Sequence, residues 1–241
     1  MIAFVRIIFL VPIFILVCIA GCLYCLLKPF HRNNTHVCAG MLSKLAPLVG
    51  VKMVVRVPEN LEYTPRVFIG NHQNTYDLVT ISAAVLEGTV SIGKKSIKWI
   101  PFFGQLYWLA GNILIDRNNK TRAAGTINQT AERMVKDKLS IWMFPEGTRS
   151  RGEGLLPFKT GAFHTAIIAQ VPIIPVVLSS TKDFSLNRWN NGYAIVEMLD
   201  QVATDTYDKK SVRKLADHCR SLMSDKLEAL DQQVKELNRS K

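Results

Sequence analysis

An uncharged apolar run from Ile7 to Leu27, IIFLVPIFILVCIAGCLYCLL, constrains this chain more than any other feature. As a helix rising about 1.5 Å per residue, the 21 residues reach roughly 30 Å, the depth of a bilayer's hydrocarbon core. A secretory signal has a shorter apolar core and a small-x-small cleavage site. This run instead passes straight into Lys28, Pro29, His31 and Arg32, so residues 1–34 are expected to form an uncleaved membrane anchor. The basic flank follows the run while Arg6 alone precedes it, which puts the rest of the chain on the cytoplasmic side. Length is met equally by a helix that crosses the bilayer and by one that lies in a single leaflet, and Pro12 and Gly21 permit a bend.

The remainder, residues 35–241, is long enough to bury one substantial core. The chain carries 30 Lys and Arg against 19 acidic residues, a net charge of +11, which fits an anionic partner. Nucleic acid, an anionic membrane surface and a phosphorylated substrate all qualify, and an adjoining anchor favours the last two. The segment GKKSIKWIPFFGQLYWL at 93–109 sets Lys94, Lys95 and Lys98 before Trp99, Phe102, Phe103, Tyr107 and Trp108. Such a mixture suits the membrane interface here, and nucleic acid is not expected as a partner. Five cysteines, three of them in the apolar run, read as small apolar residues in a reducing compartment. His31, His36, His164 and His218 lack metal-ligand spacing, so no metal is expected.

After Gly50 the pattern alternates between β-branched runs and helical periodicity. Strands are expected at 51–57, 66–70, 89–93, 113–116, 140–144, 173–179 and 194–198. Helices are expected at 35–48, 78–87, 121–138 and 159–169, with an amphipathic tail helix over 208–238. That tail repeats Val212, Leu215, Cys219, Leu222, Leu227, Leu230, Val234 and Leu237 at mostly threes and fours, the stripe of a helix covering a sheet. The fold class is therefore α/β, a single domain with a mixed sheet flanked by helices behind the N-terminal hydrophobic helix, and its motif core spans 66–180.

Chemistry concentrates in two loops that follow strands. In Asn71-His72-Gln73-Asn74-Thr75-Tyr76-Asp77, His72 suits a general base, and a carboxylate on its second nitrogen would fix its tautomer. A helical offset of five would separate the two side chains, so a turn must join them; a plain helix-capping role for Asp77 is the competing reading. In Phe144-Pro145-Glu146-Gly147-Thr148-Arg149-Ser150-Arg151, Gly147 permits close backbone approach, Thr148 offers a donor and the arginines offer phosphate-binding forks. Two further stretches, Gly111 to Arg117 and Val171-Pro172-Ile173-Ile174-Pro175-Val176, read as a strand end with a charged pair and as an apolar wall. The chain holds no G-x-S-x-G, Walker or G-x-G-x-x-G signature.

Taken in order, these stretches resemble the glycerolipid acyltransferase family. Its N-H-x-x-x-x-D block is matched by Asn71 to Asp77, and its G-x-x-x-I-D-R block by Gly111 to Arg117. Its F-P-E-G-T-R block is matched by Phe144 to Arg149, and its V-P-I-I-P block by Val171 to Pro175. The likeness covers roughly residues 35–200 and departs nowhere within the blocks.

The resemblance implies an enzyme of phospholipid synthesis on the cytoplasmic face of a bacterial inner membrane. It would move an acyl chain from acyl-acyl carrier protein or acyl-CoA to the free hydroxyl of 1-acyl-glycerol-3-phosphate. His72 would be the base, oriented by Asp77. Arg117, Glu146, Gly147, Thr148 and Arg149 would hold the glycerol-phosphate, and Val171, Pro172, Ile173, Ile174 and Pro175 would shape the acyl-donor pocket. The thioester is a co-substrate, and no cofactor is expected. Alternatives are another lysophospholipid acceptor, a thioesterase or lipid hydrolase using the same pair, and a non-catalytic membrane or nucleic-acid binding protein.

Overall fold

A computed structural model of the chain describes residues 1–58, 64–116 and 119–240. Seven strands form one sheet in the order β1-β7-β6-β2-β5-β3-β4: β1 (Val51–Arg56), β2 (Val67–Gly70), β3 (Thr89–Lys94), β4 (Ile113–Ile115), β5 (Ser140–Met143), β6 (Ile173–Leu178) and β7 (Gly192–Met198). The five strands from β6 to β4 are mutually parallel; β7 runs antiparallel to β6, and β1 is parallel to β7. The sheet is mixed, as the sequence implies. The helices are α1 (Ile2–Leu27), α2 (Asn34–Ser43), α3 (Phe103–Leu109), α4 (Lys120–Asp137), α5 (Gly161–Ala169) and α6 (Val212–Arg239).

Strands β2 and β6 are buried along their whole length, as expected of central strands covered on both faces. Side chains alternate between those faces. Val67 and Ile69 of β2 and Ile173 and Val177 of β6 meet Met134, Phe163, Leu215 and Met223 of the helices α4, α5 and α6. Phe68, Ile174 and Val176 point the other way, toward Trp142, Ala46, Val49 and Ile81. On α6 the buried positions are Val212, Leu215, Ala216, Cys219, Met223 and Leu230, one stripe of a 3.6-residue period. Leu222, expected on that stripe, is among the exposed residues, and Met223 takes the inward place four residues beyond Cys219.

Two expected helices break up. Residues 78–87 form no α-helix; 3-10 turns at Thr75–Leu78 and Ile81–Ala84 replace it, in a stretch whose Val79, Thr80, Ile81 and Val85 disfavour helix. The helix expected at 35–48 ends at Ser43, and a 3-10 turn over Ala46–Val49 follows with Pro47 in its first turn.

The apolar helix is long and apolar enough to cross a membrane, and it runs through Pro12 without ending. It starts before Arg6, which is not a flank but a buried residue of the helix. The Arg6 guanidinium donates to the carbonyls of Leu186 (3.2 Å), Arg188 and Trp189 (2.7 Å) and lies over the Trp189 ring at 5.3 Å. Ala3 N–H also donates to Asn187 Oδ1 at 3.0 Å. Farther along, Gly21 lets α1 close on α3: a Cβ there would lie 2.7 Å from Leu106 Cδ1. Both halves of α1 thus rest on the α/β domain, while Phe4, Ile8, Phe9, Leu16, Leu23 and Leu27 stay exposed.

Candidate active site

Parallel strands end at one edge of a sheet, and the segments carrying candidate chemistry leave from that edge. His72 follows β2, the Phe144–Arg151 loop follows β5, Lys94–Trp99 follows β3 and Asp116 follows β4. Neighbouring strands lie about 4.8 Å apart, so these segments line a shelf of roughly 15 Å.

The turn required between His72 and Asp77 is present. Asn74 caps the 3-10 turn Thr75–Leu78, its side chain accepting from Tyr76 N–H at 2.8 Å, and this folds Asp77 back onto the histidine. Asp77 Oδ2 lies 2.6 Å from His72 Nδ1 and also accepts from the backbone N–H of Gln73 at 2.7 Å. Because a carboxylate only accepts, the neutral ring carries its proton on Nδ1, which leaves Nε2 free to take one. Asp77 is buried and the His72 side chain is 20% exposed, so the ring is held from behind and open in front. The capping and orienting readings of Asp77 turn out to be one arrangement.

The backbone of His72 is clamped as well. Glu146, only 3% exposed, accepts from His72 N–H through Oε1 at 2.6 Å and from Leu156 N–H through Oε2 at 3.0 Å. Burial pushes its carboxyl up to about 7 despite those two donors. Ser150 N–H donates to His72 O at 2.8 Å, and Arg151 N–H to Gln73 O at 2.9 Å. Above the imidazole lies the Phe144 ring, with centroids 4.2 Å apart and planes 19° from parallel.

From the other side, Asn71 pairs with Leu178 through both its amide oxygen and nitrogen, each at 2.8 Å. Gln73 donates to the carbonyls of Leu178 and Ser179, and its Oε1 accepts from Thr181 N–H at 2.8 Å. Sequence reasoning singled out neither Gln73 nor Phe144; both stand inside quoted blocks, but no pattern says which neighbour a loop residue meets.

The other expected residues divide. Thr148 and Arg149 are exposed at the shelf. Gly147 takes φ +70°, and a Cβ there would lie 2.8 Å from Lys159 Nζ, so close approach is real but its partner here is Lys159. Arg117 lies outside the described residues; its neighbour Asp116 is 3.9 Å from Arg122. A cavity of about 350 Å³, lined by Lys94, Lys95, Ser96, Lys98, Trp99, Ile115 and Asp116, opens at the same edge.

The Val171–Pro175 stretch is not brought to His72. Ile173 pairs with Val67 and Pro175 with Ile69, so the stretch begins at the opposite end of β2. Val67 lies five residues before His72, roughly 16 Å along a strand. Val171, Ile173 and Ile174 are buried in the core, and Val171 and Pro172 border a different cavity, of about 440 Å³, with Thr204 and Tyr207. No group of three or more His, Cys, Asp or Glu that could hold a metal ion occurs among the described residues.

Residues 52–179, more than half of the chain, match the family model described as Acyltransferase. The 1-acyl-sn-glycerol-3-phosphate acyltransferase of Escherichia coli (strain K12) is 55% identical over 235 residues, covering 96% of this chain and 95% of that protein. The enzyme of the same name from Haemophilus influenzae is 51% identical over 222 residues, covering 91% and 92%. Among solved structures, the crystal structure of the 1-acyl-sn-glycerophosphate (LPA) acyltransferase PlsC from Thermotoga maritima superposes with a TM-score of 0.62 at 22% identity, covering 86% of this chain and 81% of that one. At that identity the likeness concerns the fold, and it supports the same mixed α/β architecture. The family match and the identities to the bacterial relatives show that the chain belongs to the acyltransferase family and is an enzyme of it.

Proposed function

We propose that this enzyme transfers an acyl chain from a thioester, acyl-acyl carrier protein or acyl-CoA, to the sn-2 hydroxyl of 1-acyl-glycerol-3-phosphate, giving phosphatidic acid. The bacterial relatives' names supply the reaction. The observation that carries the mechanism is the Asp77–His72 pair at 2.6 Å with Nε2 left as acceptor. His72 removes the proton from the attacking hydroxyl, the oxygen adds to the thioester carbonyl, and the thiolate leaves. The Asp77 carboxylate stabilises the imidazolium formed meanwhile, and the proton then passes to the departing sulfur. Transfer is direct: all five cysteines are at most part-exposed and lie in α1, α2 or α6 rather than at this edge.

The acceptor's phosphate is held at the shelf by Arg149 and Thr148 and by the lysine-lined cavity beside Asp116, with Arg117 a further partner on the family resemblance alone. The two engaged oxygens of Glu146 favour a holding role over direct contact with an anionic substrate. Purified, detergent-solubilised protein given labelled thioester and 1-acyl-glycerol-3-phosphate should form labelled phosphatidic acid, and a His72→Ala variant should not. Free fatty acid as the sole product would make the protein a hydrolase.

The anchor reading is that α1 lies in one leaflet on the cytoplasmic face of the inner membrane. Ala3 and Arg6 are bound to the 186–189 loop, so the N-terminus stays on the catalytic domain's side. A protease site placed before Met1 should be cut in inside-out vesicles and spared in right-side-out ones; the reverse would mean a spanning helix.

A further inference from the structure

We infer that Phe144 is a positioning residue for His72, its ring holding the imidazole in the plane set by Asp77 and stabilising the imidazolium that forms as the acceptor hydroxyl is deprotonated. The inference rests on His72 being the base and adds a partner to it. The ring centroids are 4.2 Å apart and the planes 19° from parallel, within the ~6 Å over which an aromatic face attracts a cation. A neutral imidazole gains ordinary stacking from such a neighbour. A protonated one gains the electrostatic attraction of the π face as well, so the contact favours the state reached during transfer over the resting state, the condition for lowering a barrier.

Three features keep the Phe144 ring in place. Trp142, two residues earlier on β5, meets it edge-on at 6.3 Å and 69°. Gly70, the last residue of β2, leaves room below: a Cβ there would lie 3.3 Å from Phe144 Cε1 and 3.1 Å from Trp142 Cζ2. Gly147 N–H donates to Phe144 O at 3.0 Å, so the loop turns immediately beyond the ring. His72 is thus gripped on its backbone by Glu146 and Ser150, on one ring nitrogen by Asp77 and on one face by Phe144, with Nε2 the unassigned acceptor.

Asp77 meets the imidazole directly and Glu146 holds its backbone; Arg149, Arg151 and Lys159 are carried on the chain between β5 and α5, and Arg220 of α6 acts on Glu146 and donates to the carbonyls of Leu155 and Leu156. A substitution at 144 leaves all of them in place. Phe144→Leu keeps an apolar side chain of similar bulk but no π face, and Phe144→Tyr keeps the face.

The experiment compares wild type, Phe144→Leu and Phe144→Tyr as full-length detergent-solubilised protein. It follows kcat and KM across pH, together with the NMR titration of the His72 imidazole, identified by its loss in His72→Ala. For Phe144→Leu, kcat should fall about 5- to 30-fold with little change in KM for the lysolipid. The His72 midpoint and the acid limb of kcat/KM should both move to lower pH, because the protonated ring has lost a stabilising neighbour. Phe144→Tyr should restore most of both. Unchanged titration in Phe144→Leu, or a loss confined to KM, would overturn the inference. The NMR midpoint reads the ring contact without turnover. If His72→Ala stayed active while that midpoint still moved, the contact would stand and the base would have to be sought elsewhere.

Discussion

The two ends of β2 carry the same kind of apolar strand into opposite surroundings. At the C-terminal end the chain leaves Gly70 and enters a dense polar lattice in which Asn71, His72, Gln73, Asn74, Asp77 and Glu146 bond to one another, to nearby backbone groups or to the Thr181 hydroxyl. At the N-terminal end Val67 lies beside Ile173 and its N–H donates to Pro172 O, Arg66 N–H donates to Ser140 Oγ and Thr204 Oγ1 to Val171 O, and apolar packing surrounds them. The larger cavity, about 440 Å³, is at this second end, where the described lining residues offer no paired acid and base. Pocket size alone would point to this second end; burial of polar groups that hold a titratable ring points to the first.

The sharpest way to break the contrast is His72→Ala. Activity should fall by at least about 10³-fold, since base and oriented proton transfer go together, while the thermal unfolding midpoint moves little because the ring is part-exposed. Retained turnover would leave the polar end no more catalytic than the apolar one.

Some of this difference is legible in the sequence and some is not. The His–Asp pair is legible because a strand, a turn-rich loop and a carboxylate five residues on leave few geometries that bring the two together. The sheet is legible because VFIG and IIPVVL are apolar without alternation, the pattern of strands covered on both faces. The role of Glu146 is not, because it depends on a backbone N–H supplied from 74 residues away. The placement of Val171 to Pro175 is not legible either: an apolar strand framed by prolines looks the same at either end, and only the register with β2 tells which end faces the chemistry. Arg6 misleads for a related reason. A charge at the start of an apolar helix reads as a flank until three carbonyls from residues 186–189 are found around it.

A smaller effect sharpens the comparison at Glu146. Its folded-state carboxyl keeps its proton up to about 7, whereas an unfolded one releases it near the ordinary 4.5. Between those values the folded protein binds more protons, so this group's contribution to stability declines as pH rises through the window. Glu146→Gln should remove that part of the slope in thermal unfolding measured from pH 4.5 to 7. In the same variant one backbone N–H, of His72 or Leu156, faces an amide NH₂ instead of an acceptor. The expected cost is roughly tenfold in kcat, with KM for the lysolipid nearly unchanged. A rise confined to KM would return Glu146 to the substrate.

The smallest functional effect is expected at the apolar end, from Val171→Ala. Val171 is 8% exposed and packs in the same core cluster as Ile173 and Phe163. Removing two methyl groups should cost about 1–2 kcal/mol of stability, with limited collapse because an open cavity already adjoins the site. Turnover by the molecules that remain folded should stay within about twofold of wild type for donors of different acyl length, because truncation more than about 16 Å along the strand from His72 reaches neither ring nor carboxylate. A change in chain-length preference at unchanged stability would give the opposite result: the acyl chain would then run beside β6 toward this end, and the two ends of β2 would belong to one site.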